Sequence, residues 1–168
     1  MIGLQITNVK NFMNHLFVKE TFDGFDLVEA VIMKEYTLTL EGKRNREQKE
    51  GEDVTRTEDQ PSRESDYLSY GELRPFLLAH IRGKKTPQLI RMTLSLPAEK
   101  LAERTEDAFE PALSQIDRFL LNIRFDSQGL MLITGVSYRT FSMEKELEKV
   151  WDRYLRSFLL EQEIAFEE

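Results

Sequence analysis

The stretch from Arg118 to Phe141 restricts the fold more than any other part of the chain. Arg118 to Phe125 and Leu130 to Phe141 are rich in branched and aromatic residues, and Asp126-Ser127-Gln128-Gly129 stands between them, a four-residue turn signal for a β-hairpin. Strands joined this tightly run antiparallel. A third run, Leu89 to Leu96, sends Ile90, Met92, Leu94 and Leu96 one way and Arg91, Thr93 and Ser95 the other. That two-residue period belongs to a strand with one dry face and one wet face. Phe25 to Met33 and Tyr36 to Leu40 add two more strand-like runs. Lys34-Glu35 either turns them into a hairpin or lies within one bent strand.

Helical periods occupy the rest. Val9, Phe12, Met13, Leu16 and Phe17 line one face of a first helix, with Thr7 as N-cap and Asp23-Gly24 as exit. Ser69 and Glu72 make a capping box for a second helix, which buries Leu73, Phe76, Leu77, His80 and Ile81 and stops at Gly83. Pro75 offers a later start, with the proline at the first helical position. Pro97 to Arg104 reads as a short helix, and Ala108 to Ile116 as a loop or poor helix. The longest helix spans Met143 to about Glu163, with Ser142 as N-cap and an apolar stripe through Leu147, Trp151, Tyr154 and Phe158 to Leu159. Beyond it, Ile164-Ala165-Phe166 is a last packing turn or a sticky terminus, and removing residues 163–168 is expected to leave the fold intact.

These elements predict the α+β class: a single domain over residues 1–168, with a largely antiparallel sheet, helices packed on one face and a long C-terminal helix. One stretch departs from the pattern. Between Glu41 and Asp66 the only large apolar residue is Val54, among 15 charged residues, nine acidic and six basic. Such a stretch buries too little apolar surface to offset its ordering entropy, so residues 41–66 read as a flexible loop insertion within the domain.

Composition then removes chemistries. The 168 residues contain no cysteine, which excludes disulfides, zinc ribbons, thiol nucleophiles and cysteine-held iron–sulfur clusters. His15 and His80 are the only histidines; neither has a second histidine at metal-ligand spacing, and each reads as structural or solvated. No metal site, cofactor or catalytic residue is assigned. No apolar run approaches the roughly 18 residues of a membrane span, and no secretory leader pattern opens the chain, so a cytoplasmic location is expected. A net charge of −7 argues against nucleic-acid or anionic-membrane binding by the molecule as a whole.

Two features carry a sharper expectation. Arg82, Lys84 and Lys85 follow a helix end, Arg91 points outward from its strand, and Arg124 and Arg139 are expected on the same outer sheet face. Together they would make a basic patch for a phosphate or a nucleic-acid backbone; alternatively, the first three complement a helix dipole and the strand arginines pair with carboxylates. Gly83-Lys84-Lys85-Thr86 has the tail of a phosphate-binding loop, yet Leu78 stands where its first glycine belongs. The second feature is the aromatic stripe of the closing helix, which would suit a protein partner or a homo-oligomer.

Several short strings resemble those of a known family in their order and spacing. They are Arg74-Pro75, Gly83-Lys84-Lys85-Thr86-Pro87, Leu121-Asn122-Ile123-Arg124-Phe125, Thr134-Gly135-Val136-Ser137, Thr140-Phe141 and Trp151-Asp152. The chain resembles a small uncharacterised family of bacterial proteins from Firmicutes, a domain of unknown function, over nearly its whole length except the charged loop. The resemblance implies a bacterial cytoplasmic protein and supplies neither an activity nor site residues. The hairpin ending in Phe125 and resuming as Leu-x-Leu-x-Thr-Gly also looks like those of DNA sliding-clamp domains, which are acidic overall with a basic inner surface. The reading that results is a soluble bacterial protein acting as a non-enzymatic binding or interaction module. Its alternatives are an enzyme or phosphate-binding protein built on the Arg/Lys cluster, and a clamp-like nucleic-acid module.

Overall fold

A computed structural model describes residues 1–45, 65–105, 114–141 and 145–168. Along the chain come β1 (Gly3–Ile6), α1 (Val9–Met13), β2 (Asp26–Met33), β3 (Thr37–Glu41), α2 (Tyr70–Ile81), β4 (Leu89–Pro97), α3 (Ala98–Arg104), β5 (Ile116–Asp126), β6 (Gly129–Tyr138), α4 (Glu146–Glu161) and β7 (Phe166–Glu167). The seven strands form one sheet in the order β3-β2-β4-β5-β6-β1-β7, every neighbouring pair antiparallel. This is the α+β architecture expected from the strand pattern.

The β5–β6 hairpin turns at the expected Asp126–Gly129 segment, with the strands running up to its two outer residues. Asp126 pairs with Gly129, leaving Ser127 and Gln128 as the loop. Gly129 sits at φ +124°, a conformation that glycine adopts without steric cost, and the Asp126 carboxylate accepts the Gln128 backbone N–H at 2.8 Å. Met33 pairs with Thr37, so Phe25 to Leu40 forms a hairpin and not one bent strand.

Alternation decides which face is dry. Ile90, Met92, Leu94 and Leu96 of β4, Phe119, Leu121 and Ile123 of β5, and Leu130 and Leu132 of β6 are all buried. Upon this face lies α4, whose Leu147, Trp151, Leu155 and Leu159 are buried. The Trp151 ring is centred 5.4 Å from Phe119 and 6.5 Å from Phe25, and its indole N–H donates to the Leu120 carbonyl at 3.0 Å. Much of the helix's stripe thus packs into the core, while Tyr154 and Phe158 stay half-buried.

Several local expectations need correction. β1 was not anticipated, being four residues long with a glycine at its start; it owes its place to pairing with β6 and β7. Asn8 caps α1 instead of Thr7, its side chain accepting the Asn11 N–H at 3.0 Å, while the Thr7 N–H goes to the Ala165 carbonyl at 3.2 Å. After Met13 the helix widens into a π turn, Asn14–Val18, closed by the Lys19 N–H on the Asn14 carbonyl at 2.9 Å. The extra residue per turn rotates His15 inward, where it is 5% exposed with Nδ1 2.7 Å from the Thr21 hydroxyl.

α2 takes the earlier start. The Ser69 backbone N–H donates to Glu72 Oε2 at 3.1 Å, and Pro75 lies within the helix on its exposed side. Phe76, expected in the core, is exposed; Tyr70 is buried in its stead and its hydroxyl donates to the Leu16 carbonyl at 2.8 Å. Lys145, and not Ser142, is the residue before α4; Ser142 and Met143 lie outside the described residues, as do 106–113 and 46–64 of the charged stretch. Its flanks are built into the sheet, Lys43 bridging to Tyr67 and the Leu68 N–H donating to the Gly42 carbonyl at 2.8 Å. A Cβ at Gly42 would fall 1.8 Å from the Leu27 carbonyl oxygen, so this close approach admits only glycine. The C-terminal tail is no loose end either: Ile164 is 1% exposed and Phe166–Glu167 pairs with β1.

Candidate functional site

Because the helices cover one side of the sheet, the residues between the core positions face outward as an open surface. Register lines them up across the strands. One row runs Val31, Arg91, Arg124, Met131 and Gln5; the next runs Glu29, Thr93, Asn122, Ile133 and Gly3. In the second row the Thr93 hydroxyl donates to Asn122 Oδ1 at 2.9 Å, and the Asn122 amide reaches the Ile133 carbonyl at 3.4 Å.

Arg91 and Arg124 are therefore direct cross-strand neighbours. Arg124 donates from Nε to Asp126 Oδ2 at 2.9 Å. The Gln128 backbone N–H, and after it Arg124, hold the Asp126 carboxyl below the usual carboxylate range. Arg91 is exposed and has no carboxylate partner among the described residues. Shallow depressions flank the pair. One of about 240 Å³ is lined by Glu29, Val31, Arg91 and Thr93; the other, about 230 Å³, is lined by Gln5, Arg124, Asp126, Gln128 and Met131 among others.

The remaining expected cations are elsewhere. Arg139 follows the far end of β6, 3.8 Å from Glu99 and 3.9 Å from Asp117. Since Tyr138 pairs with Ile116 while Met131 pairs with Arg124, Arg139 and Arg124 sit toward opposite ends of the sheet. The six cations do not form one patch. Arg82, Lys84 and Lys85 are exposed in the connection from α2 to β4, where Lys85 meets Glu35 at 2.6 Å.

Sequence reasoning missed the buried polar cluster at the other end of the outer face. Arg118 bonds Asp26 through Nη2 and donates from Nε to the Ser95 hydroxyl at 2.8 Å. The Ser65 hydroxyl donates to Asp26 at 2.8 Å, and the Tyr67 ring lies 4.8 Å from the Arg118 guanidinium. Arg118 shares the parity of Leu120, Asn122 and Arg124, which marked it as outward-facing; nothing local marked Asp26, on another strand, as its partner. Two clefts lie on the helical side. One of about 460 Å³ includes Arg104, Arg153, Tyr154 and Phe158, and there Arg104 donates to the Tyr154 hydroxyl at 3.1 Å. The other, about 550 Å³, is lined by Met1, Lys145, Glu148, Lys149 and Asp152. Among the described residues no three acidic or histidine side chains gather as a metal site, and no helix is long and apolar enough to cross a membrane.

Comparison with family models matches residues 15–167 to a Family of unknown function (DUF5721). The chain belongs to this family. No curated protein and no solved structure matches it. The matched span covers the sheet from β2 to β7 and all helices after α1, including both arginines of the open face. β1 alone among the strands precedes it.

Proposed function

We propose that this DUF5721 member is a non-enzymatic binding module that offers the open face of its sheet to an anionic partner, with Arg91 and Arg124 at the centre of contact. The observation that carries the reading is their juxtaposition: two arginines directly opposite on adjacent strands, one without a carboxylate partner among the described residues. Like charges so placed weaken a sheet by a few tenths to about 1 kcal/mol. A ligand carboxylate or phosphate turns that cost into charge-assisted, bidentate hydrogen bonds. The half-buried Val31 and Ile133 and the exposed Met131 add apolar contact around the cations.

Titration calorimetry tests this at low salt, with inorganic pyrophosphate and a glutamate-rich peptide as probes. Wild type is expected to bind at least one of them, and Arg91→Glu/Arg124→Glu to bind at least about tenfold more weakly. Equal affinity in the double variant, or no binding of either probe to wild type, would overturn the proposal.

A further inference from the structure

A second surface, independent of the sheet face, lies where the β2–β3 turn meets the C-terminal end of α2. Phe76 is 69% exposed and Tyr36 60% exposed. His80 lies one helical turn beyond Phe76 on the same side of α2 and packs against Tyr36. Its ring is centred 4.9 Å from that of Tyr36, edge-on at 77°, and its Nδ1 lies 3.0 Å from the Tyr36 hydroxyl. Tyr36 and His80 are in contact, and Phe76 lies one helical turn back from His80, so the three residues follow one row across the corner.

Cations border this row. Lys34 has a structural task, donating from Nζ to the His80 carbonyl at 3.1 Å and reaching the Ile81 carbonyl at 3.5 Å, where a helix end carries partial negative charge. Arg82 and Lys84 are exposed and have no carboxylate partner among the described residues. Lys85 shares Glu35, both side chains well exposed. Residues 34–36 and 82–85 together carry a net +3 in a chain whose total is −7.

We propose that this corner binds single-stranded nucleic acid, Phe76 and Tyr36 each stacking a base while Arg82, Lys84 and Lys85 meet the phosphates. Exposed rings near exposed cations, of which Lys85 shares Glu35, match the alternation of flat bases and charged linkages in such a strand. Phe76 and Tyr36 also stand apart from the four clefts described above, whose linings include neither. Peptide side chains anchor in pockets, whereas a base needs only a face to stack on. The local charge is complementary to a polyanion although the molecular charge is not, so binding should fall steeply with salt.

Fluorescence anisotropy with a labelled dT8 oligonucleotide tests the proposal in the Arg91→Glu/Arg124→Glu background, which separates it from the sheet face. Saturable binding at low salt is expected. Phe76→Ala should weaken it about tenfold, and Lys84→Glu/Lys85→Glu should weaken it further and flatten the salt dependence. Phe76 is exposed, and circular dichroism verifies that its variant folds. No binding, or binding unchanged by Phe76→Ala, overturns the proposal. So does equal competition by polyglutamate of matched charge, which would indicate an acidic peptide. Tighter binding to phosphatidylserine vesicles than to dT8 would overturn it in favour of a membrane surface.

Discussion

Asp26 and Arg118, 3% and 9% exposed, are a buried ion pair whose further hydrogen bonds go to Ser95 and Ser65. Such a pair contributes little net stability relative to a well-packed apolar pair, but removing one partner strands the other charge. Asp26→Ala is therefore expected to cost about 3–5 kcal/mol in urea unfolding, and Asp26→Leu/Arg118→Met appreciably less. Equal losses in the single and double variants would contradict this. The two histidines make a second residue-scale prediction. Burial first, and then a nearby lysine (Lys19 for His15, Lys34 for His80), hold both imidazoles below their ordinary value. Around and just below pH 6.5 the unfolded chain binds more protons than the folded one, so stability falls as pH drops. Their contribution is complete above the unfolded value of about 6.5 and is lost as pH falls through the lower folded values. Unfolding midpoints measured from about pH 7.5 to about pH 5 should decline less steeply in His15→Gln/His80→Gln than in wild type.

At the scale of elements, strands with a clean alternation were legible because face assignment needs only the two-residue period. β4, β5 and β6 follow the sequence reading closely for this reason. β1 and β7 were not legible. Four and two residues long, they carry too little pattern, and their backbone partners come from opposite ends of the chain. The tail shows the consequence. Its removal looked harmless from sequence, yet Ile164 is buried, Phe166–Glu167 pairs with Ile6 and Gln5, and the Ala165 carbonyl accepts the Thr7 N–H. Deleting residues 163–168 is now expected to leave a folded but weakened protein. Loss of the Ile164 burial alone accounts for about 2–3 kcal/mol, readable as a lower thermal midpoint; an unchanged midpoint would restore the original expectation. In α2, helical periodicity placed both Phe76 and Leu77 inside. Only Leu77 is buried and Phe76 is exposed; periodicity alone does not say which part of a broad apolar stripe meets the core.

For the whole molecule, one covered and one open sheet face follow from helices gathered on a single side, and the open face is where Arg91 stands opposite Arg124. Arg91→Thr is expected to leave stability unchanged or raise it by up to about 1 kcal/mol, while weakening anion binding; a loss above about 1 kcal/mol would instead give Arg91 a structural role. By itself the sequence determined the α+β class, the dry face of the central strands and the chemistries that an absence of cysteine excludes, since these depend on residue type and on neighbours along the chain. It also named six cations as candidates, of which Arg91 and Arg124 stand side by side. Which of them meet was decided by tertiary structure. Strand register set Arg91 opposite Arg124, placed Arg139 toward the other end of the sheet and joined Asp26 to Arg118 across 92 residues; the docking of α2 left Phe76 in solvent. Those outcomes depend on pairings between distant segments, and local periodicity carries no information about which distant strand lies alongside or at what offset.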